Sequence, residues 1–282
     1  MKTSLILCTI NRTEEVLSFL LSLKKQTYTD FEVIIVDQNK DDRIQNILSD
    51  FHSLDIKYFK SEPGLSRARN IGLAQISGDI VGFPDDDCTY PTELLTNINN
   101  FFEKNDYAIL MGKTIDKETE QIVAGSLSTK ACDLSCSNIH GSSTTLFIRI
   151  NKINDFTFDE KFGLGAKYHA EEENDLVLRL LKEGFKGYYS PQINFVYHPP
   201  SDLNYQDYPR IQARAIGLGA FIAKHIGSLC GIGYFFKYNI FRPFSASILY
   251  MLKFDKIRAK YYFYKFLGIW KGFFMYKKEM KK

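Results

Sequence analysis

Apolar runs alternate with amphipathic ones through the first hundred residues of this chain, and that alternation restricts the fold more than any other feature. Ser4 to Cys8 and Phe31 to Val36 are continuous apolar runs of the kind buried on both faces of a sheet. Between them, Thr13 to Lys25 carries Val16, Leu17, Leu20, Leu21 and Leu23 at helical spacing. Asp41 to Phe51 reads as a second helix, and Gly64 opens a third that runs to about Ile76; Ile56 to Phe59 and Ile80 to Phe83 read as strands. Strands joined through helices pair in parallel, so the pattern predicts a mostly parallel sheet with helices on both faces. Further on, Pro91 suits the first turn of a helix through Phe102. Ala108 to Met111, Gln121 to Ala124 and Thr144 to Ile150 read as strands, with Ser126 to Ser143 a polar connection. Glu171 to Glu183 reads as a helix, and Tyr188 to Tyr197 as extended chain up to His198-Pro199-Pro200.

The fourth strand ends in Asp85-Asp86-Asp87. Three like charges repel one another unless a cation sits among them. Asp clusters also cap polar turns and face water. In open α/β sheets, however, ligands bind beyond the carboxyl ends of strands, and that is where these acids lie. A divalent metal suits them, because hard cations prefer oxygen ligands and keep open positions for phosphate oxygens and water.

A chain of 282 residues with 45% hydrophobic content can build a substantial core, as one large domain or two small ones. Its net charge of +3 is unevenly spread. Residues 237–282 hold twelve Lys or Arg against Asp255 and Glu279, which leaves the first 236 residues at −7. The five cysteines, Cys8, Cys88, Cys132, Cys136 and Cys230, are odd in number and lack framework spacing, which predicts reduced thiols in a cytosolic compartment. Cys132, Cys136 and His140 recur every four residues, a spacing that could hold zinc, but no fourth ligand stands near them. The apolar run that ends at Thr9 is too brief for the core of a signal peptide, so export is not expected.

Five segments in order carry a resemblance: Cys8-Thr9-Ile10-Asn11-Arg12, the IIVDQN strand end, GLSRARNIGL at 64–73, GDIVGFPDDDCTYP at 78–91 and EENDLVLRLLKEG at 172–184. Over roughly the first 200 residues the chain resembles the nucleotide-sugar glycosyltransferases of the large inverting family 2. The resemblance implies the GT-A fold, an α/β architecture with a Rossmann-like nucleotide-binding mixed sheet flanked by helices. It also implies sugar transfer from a nucleotide-sugar donor to an acceptor hydroxyl, with inversion and with Mn²⁺ or Mg²⁺ as cofactor. By the same resemblance Thr9, Asn11, Arg12, Asp37 and Gln38 hold the nucleoside, Gln38 standing where the family more often has a second acid. An amide donates as well as accepts, which leaves the base open among uridine, thymidine and guanosine. In the helix opened by Gly64, backbone donors favour a bound anion, and Arg67, Arg69 and Asn70 are candidates there; one arginine is expected to approach the donor diphosphate or the acid triplet. The triplet corresponds to the family's Asp-x-Asp, with Asp85 toward ribose or metal, Asp87 as metal ligand and Asp86 as a donor-site or turn residue. His198 is a further candidate ligand for metal or diphosphate.

A second acidic cluster, Glu171-Glu172-Glu173-Asn174-Asp175, opens a helix whose buried stripe includes Leu176, Val177, Leu180 and Leu181. Glu172 and Glu173 stand four residues before Leu176 and Val177, above that stripe, and should face the interior or a cleft. Asp175 and Arg179, four apart, read as a surface pair. The resemblance makes Glu172 and Glu173 the catalytic pair, with Glu173 the general base. From Gly217 on, lysines interrupt aromatic and apolar runs too short to span a bilayer. Such a composition suits a helical surface lying on anionic lipid at the cytoplasmic face of the plasma membrane. The expected organisation is a catalytic domain over 1–205 and a basic, aromatic, membrane-associating region over 206–282, working on a lipid-linked or oligosaccharide acceptor in surface-polysaccharide synthesis, with no nucleic-acid partner. The rivals are a non-catalytic binder of nucleotide sugar or lipid, and a sugar-phosphate nucleotidyltransferase, whose glycine-rich basic N-terminal signature SLILCTINR lacks.

Overall fold

The computed structural model describes residues 1–124, 128–136, 139–153, 156–200, 204–228, 232 and 242–281. Cys230, Lys237 and the aromatic segment 233–241 lie outside the described residues. In chain order the elements are β1 (Thr3–Thr9), α1 (Glu14–Leu23), β2 (Phe31–Asp37), α2 (Arg43–Leu48), β3 (Ile56–Lys60), α3 (Leu65–Leu73), β4 (Ile80–Gly82) and α4 (Leu94–Lys104). They continue as β5 (Ile109–Met111), β6 (Lys113–Ile115), β7 (Ile122–Ala124), β8 (Cys132–Asp133), β9 (Phe147–Arg149), α5 (Glu172–Lys182), β10 (Gly187–Tyr189) and β11 (Phe195–Tyr197). Then come the helices α6 (Tyr208–His225), α7 (Arg242–Leu252) and α8 (Lys256–Glu279).

Eight strands form one sheet in the order β3-β2-β1-β4-β9-β5-β10-β8, and β11-β6-β7 form a second. The first sheet is parallel across β3, β2, β1 and β4. It then turns mixed, because β9 runs antiparallel to both β4 and β5 while β10 runs parallel to β5. The alternation of strands and helices therefore foretold the first half of the sheet, and the mixed half is what the family resemblance implied. Several segments depart from the sequence reading: β6 was not expected, and β8 lies within the expected polar connection 126–143. Only Phe147–Arg149 of the expected strand 144–150 pairs in the sheet; Ser143–Thr145 before it and Ile150–Lys152 after it are single 3₁₀ turns. Tyr188 to Tyr197 divides into β10 and β11, which belong to different sheets. The expected helix over 41–51 shortens to the six residues of α2 and a 3₁₀ turn.

Side chains of β1 and β2 alternate between the two faces of the sheet. Leu5, Leu7, Val33 and Ile35 pack with Phe19, Leu20, Leu95 and Phe102 of α1 and α4. Ile6, Cys8, Ile34 and Val36 pack with Ala68 of α3 and with Leu176 and Val177 of α5. Near the start of β2 a charged side chain, Glu32, is fully buried. It accepts from the Ser4 hydroxyl at 2.6 Å, from the Ser77 N–H at 2.7 Å and hydroxyl at 2.8 Å, and pairs with Lys57 at 2.9 Å. Burial opposes its charge, but the bonds from Ser4, Lys57 and Ser77 outweigh it and hold the carboxyl at about 2.

The chain falls into two compact units, 1–158 with 176–201, and 159–175 with 202–282. In the second unit, α6 and α8 pack at backbone contact. A Cβ on Gly219 would lie 1.9 Å from the Ile269 carbonyl oxygen, and one on Gly272 would lie 2.0 Å from that of Ile216. Among the described residues no helix is long and apolar enough to cross a membrane. Cys8, Cys88 and Cys132 are free thiols, but Cys136 is disulfide-bonded. That corrects the reading of an all-reduced chain, and it removes Cys136 as a zinc ligand beside Cys132 and His140.

Candidate active site

Because β1, β2 and β4 run parallel, Thr9, Asp37 and the loop after Gly82 emerge on one edge of the sheet. The loop carries the acid triplet, and the Cys88 N–H closes its turn on the Asp85 carbonyl at 3.3 Å. One residue further, an isolated antiparallel bridge joins Thr89 to Tyr197, with N–H···O distances of 2.9 and 3.0 Å. That bridge delivers His198 to the triplet. Its Nε2 lies 3.0 Å from Asp87 Oδ1.

Ligand atoms of Asp85, Asp87 and His198 all lie within 4.8 Å of one another, the one such grouping among the described residues. His198 Nδ1 lies 2.6 Å from the Pro199 carbonyl, which can only accept, so Nδ1 carries a proton and Nε2 is the atom turned to the carboxylates. The Nε2 to Asp87 contact is satisfied either by a proton on Nε2 or by a cation shared between the two atoms. Against its burial, the hydrogen bond to Asp87, the Pro199 carbonyl and the nearby carboxylates hold the His198 pKa above its ordinary value. Burial pushes the Asp85 carboxyl up to about 6, with Arg69 opposing and the Asp87 and Asp86 charges adding to the rise. Burial also works against the charge of Asp87, but His198 and Arg12 bring its pKa below the usual carboxylate value. Two carboxylates and an oriented imidazole form a donor set that fits a small divalent cation such as Mn²⁺ or Mg²⁺.

Cations of the chain surround the same loop. Arg12 Nη1 lies 2.6 Å from Asp86 Oδ1 and 2.5 Å from Asp87 Oδ2. Asp86 also accepts from the Thr9 hydroxyl at 2.7 Å, so it ties the loop to the end of β1. On α3 the arginine that reaches the triplet is Arg69, buried between the Phe83 and Phe158 rings with Nη2 3.5 Å from Asp85. Arg67 is exposed. Asn70 spends its amide on the Phe158 backbone, donating to the carbonyl at 3.0 Å and accepting from the N–H at 2.8 Å.

Toward the β2 end, Asp37 is fully buried and accepts from the Tyr58 hydroxyl at 2.8 Å, Lys60 at 3.0 Å, and the Asn39 N–H and side-chain amide at 2.8 and 2.6 Å. Gln38 Oε1 accepts from the Gly64 N–H at 2.7 Å, which leaves the NH₂ of its amide as the donor face. Gly64 holds φ +143°, a conformation side chains rarely adopt. Asn11, exposed and at φ +60°, donates its N–H to the Asn39 side chain at 2.7 Å. Sequence reasoning gave no role to Tyr58 or Lys60. For Lys60 a signal existed, since it ends β3 as Asp37 ends β2 and the two are register partners.

In the second unit, Glu172 is buried and Glu173 half-buried at the start of α5. Glu171 precedes them at φ +74° and accepts from the Asn174 amide at 2.9 Å; burial raises its carboxyl to about 7 despite that bond. Asp175 corrects the sequence reading. It is fully buried, with Oδ1 2.7 Å from Lys224 Nζ and 2.8 Å from His225 Nε2, while Arg179 donates to the Thr157 carbonyl at 2.5 Å.

The acid loop follows β4, the buried Asp37 ends β2 and acids open α5, and the family model described as glycosyl transferase family 2 matches residues 4–161. The chain belongs to glycosyl transferase family 2. Among relatives of this family 2 chain, the glucosyl-dolichyl phosphate glucuronosyltransferase of Haloferax volcanii is 31% identical over 120 residues, 41% of this chain and 38% of that one. The poly(ribitol-phosphate) β-N-acetylglucosaminyltransferase TarS of Staphylococcus aureus is 31% identical over 119 residues, 40% of this chain and 21% of that one. The matches thus span well under half the length of these curated relatives. In structure, TarS 1-349 in complex with UDP-GlcNAc matches with a TM-score of 0.58 and 18% identity, over 100% of this chain and 92% of that one. The mannosyltransferase PcManGT of Pyrobaculum calidifontis, in complex with GDP-Man and Mn²⁺, matches with a TM-score of 0.68 and 14% identity, over 95% and 86%. The family 2 chain has the GT-A fold.

Proposed function

We propose that this family 2 chain is an inverting, metal-dependent glycosyltransferase that moves a sugar from a nucleotide-sugar donor to a hydroxyl of a lipid-linked glycan in bacterial surface-polysaccharide synthesis. The observation that carries the reading is the convergence of Asp85, Asp87 and His198 beside Arg12 at the carboxyl edge of the parallel strands. Asp85, Asp87 and His198 would hold Mn²⁺ or Mg²⁺, which when bound offsets charge on a departing diphosphate. Arg12, between Asp86 and Asp87, supplies a guanidinium that binds and orients phosphate oxygens. Asp37 is the buried acid of the nucleoside site, and Lys60 and Tyr58 hold its carboxylate in place. The Gln38 amide donates to a carbonyl of the base. Glu173, with Glu172 beside it, takes the proton from the acceptor hydroxyl while that oxygen attacks the anomeric carbon opposite the diphosphate, which inverts the configuration.

The acceptor reading is supported by relatives whose names refer to a dolichyl-phosphate-linked sugar and to a poly(ribitol-phosphate). The enzyme works from the cytoplasmic face, held to the inner leaflet without crossing it. Functionally, residues 1–205 are the catalytic region and 206–282 the membrane-associating one. This division cuts across the two compact units, since the segment with the glutamates packs with 202–282.

Calorimetric titration of UDP, TDP and GDP, with and without Mn²⁺, tests the donor site on wild type and Asp87→Ala. One nucleotide is expected to bind with Mn²⁺, and the variant to lose at least about tenfold in affinity. Binding that ignores both metal and substitution would overturn the metal-site assignment.

A further inference from the structure

We propose that the turn between α7 and α8 is a lipid-binding tip, at which Met251, Leu252, Phe254 and Ile257 enter the headgroup layer of a bilayer while Lys253, Lys256 and Lys260 engage its anionic phosphates. The inference rests on the membrane-peripheral reading above and adds the place of contact. Met251 is 66% exposed, Leu252 72% and Phe254 89%, the three most exposed large apolar side chains among the described residues, and they stand within four positions at a single turn, with Ile257, 44% exposed, just beyond it. A soluble surface rarely tolerates such a cluster unless something covers it.

The charge around the turn says what covers it. Lys253, Lys256, Arg258 and Lys260 stand against one carboxylate, Asp255, which is engaged as the N-cap of α8, accepting from the Arg258 N–H at 3.0 Å. Arg258 lies over the Tyr250 and Tyr205 rings, at 5.5 and 5.6 Å, and both it and the three lysines are exposed. A second copy of the chain seated on the same face would set these cations against their own kind. An anionic bilayer receives both the apolar side chains and the cations.

The turn is also preformed. Lys253 donates its N–H to Leu249 at 3.1 Å, Phe254 to Met251 at 3.0 Å and Asp255 to Tyr250 at 2.9 Å. Phe254 holds φ +57°, a left-handed conformation that is strained for a bulky side chain. Its ring makes little use of that strain within the chain, because it points out into solvent.

Flotation of the full chain with phosphatidylcholine vesicles, with and without phosphatidylglycerol, decides the matter. Wild type is expected to float with the anionic vesicles only. Two triple variants, Met251→Ser/Leu252→Ser/Phe254→Ser and Lys253→Gln/Lys256→Gln/Lys260→Gln, should each lower partitioning about tenfold or more with helical content unchanged. Phe274→Ser, at another exposed position on α8, should leave it unchanged. Wild-type flotation that survives both triple variants would overturn the tip and leave the peripheral reading standing. Wild type that floats with neither vesicle would overturn the peripheral reading and the tip together. A dimer in sedimentation that the serine variant dissociates, with flotation untouched, would make a second copy the occupant.

Discussion

Glutamate and glutamine have nearly the same shape, so exchanging one for the other at position 173 removes a proton acceptor and little else. Glu173→Gln is expected to cut turnover by about 10²–10⁴-fold while donor affinity by calorimetry stays within about twofold. Turnover near wild type would move the base to Glu172 or Glu171, whose variants can be measured alongside. The side chains of the site were unequally legible. The acid triplet could be read because its members are neighbours in sequence and end an apolar run. His198 could be read as a candidate, but what places it on Asp87 is the Thr89–Tyr197 bridge, which leaves no trace in composition or spacing. Asp175 shows the opposite failure. Helical spacing offers only a partner four residues on, while the partners it has, Lys224 and His225, come from another helix. Such a pair, buried and hydrogen-bonded, is retained because breaking it strands a charge.

Among the elements, β1, β2 and α1 were legible because a strand buried on both faces and an amphipathic helix have periods a short window captures. The strand expected over 144–150 was legible only in part, since serine and threonine hydroxyls at its start close a 3₁₀ turn on their own backbone: Ser142 and Thr145 cap one another there. The close seating of α6 on α8 was invisible as well, because glycine in a helix reads only as a weak helix former. Its effect can be measured. Gly219→Ala is expected to destabilise the second unit by about 1–3 kcal/mol and to lower its thermal midpoint by several degrees. Gly227→Ala, where no atom lies within 4 Å of the added Cβ, serves as the control and should stay within about 0.5 kcal/mol of wild type.

Across the whole molecule two carboxyls give stability a predictable pH dependence. Glu32 is held at about 2, below its unfolded 4.5, so its contribution is present above 4.5 and is lost as pH falls from there to 2. Glu32→Gln should cost roughly 2–3 kcal/mol at neutral pH, a difference that closes toward pH 2 in denaturant titrations. Glu171, raised to about 7, acts in the other direction. Its ionisation costs the folded state stability as pH rises from 4.5 to 7, so Glu171→Gln should match wild type at pH 4 and exceed it above pH 7. Parallel thermal melts at about pH 2, 4 and 7.5 check both signs. One more consequence follows from the bridge that carries His198 to the acid loop. Asp87 is synthesised 111 residues ahead of its histidine partner, so no nascent chain can complete the three-ligand cluster until β11 has left the ribosome and paired. The parallel strands can form well before then, so under the proposed metal reading a cation could bind only at the end of synthesis of this region, and ion affinity would report a late step of folding.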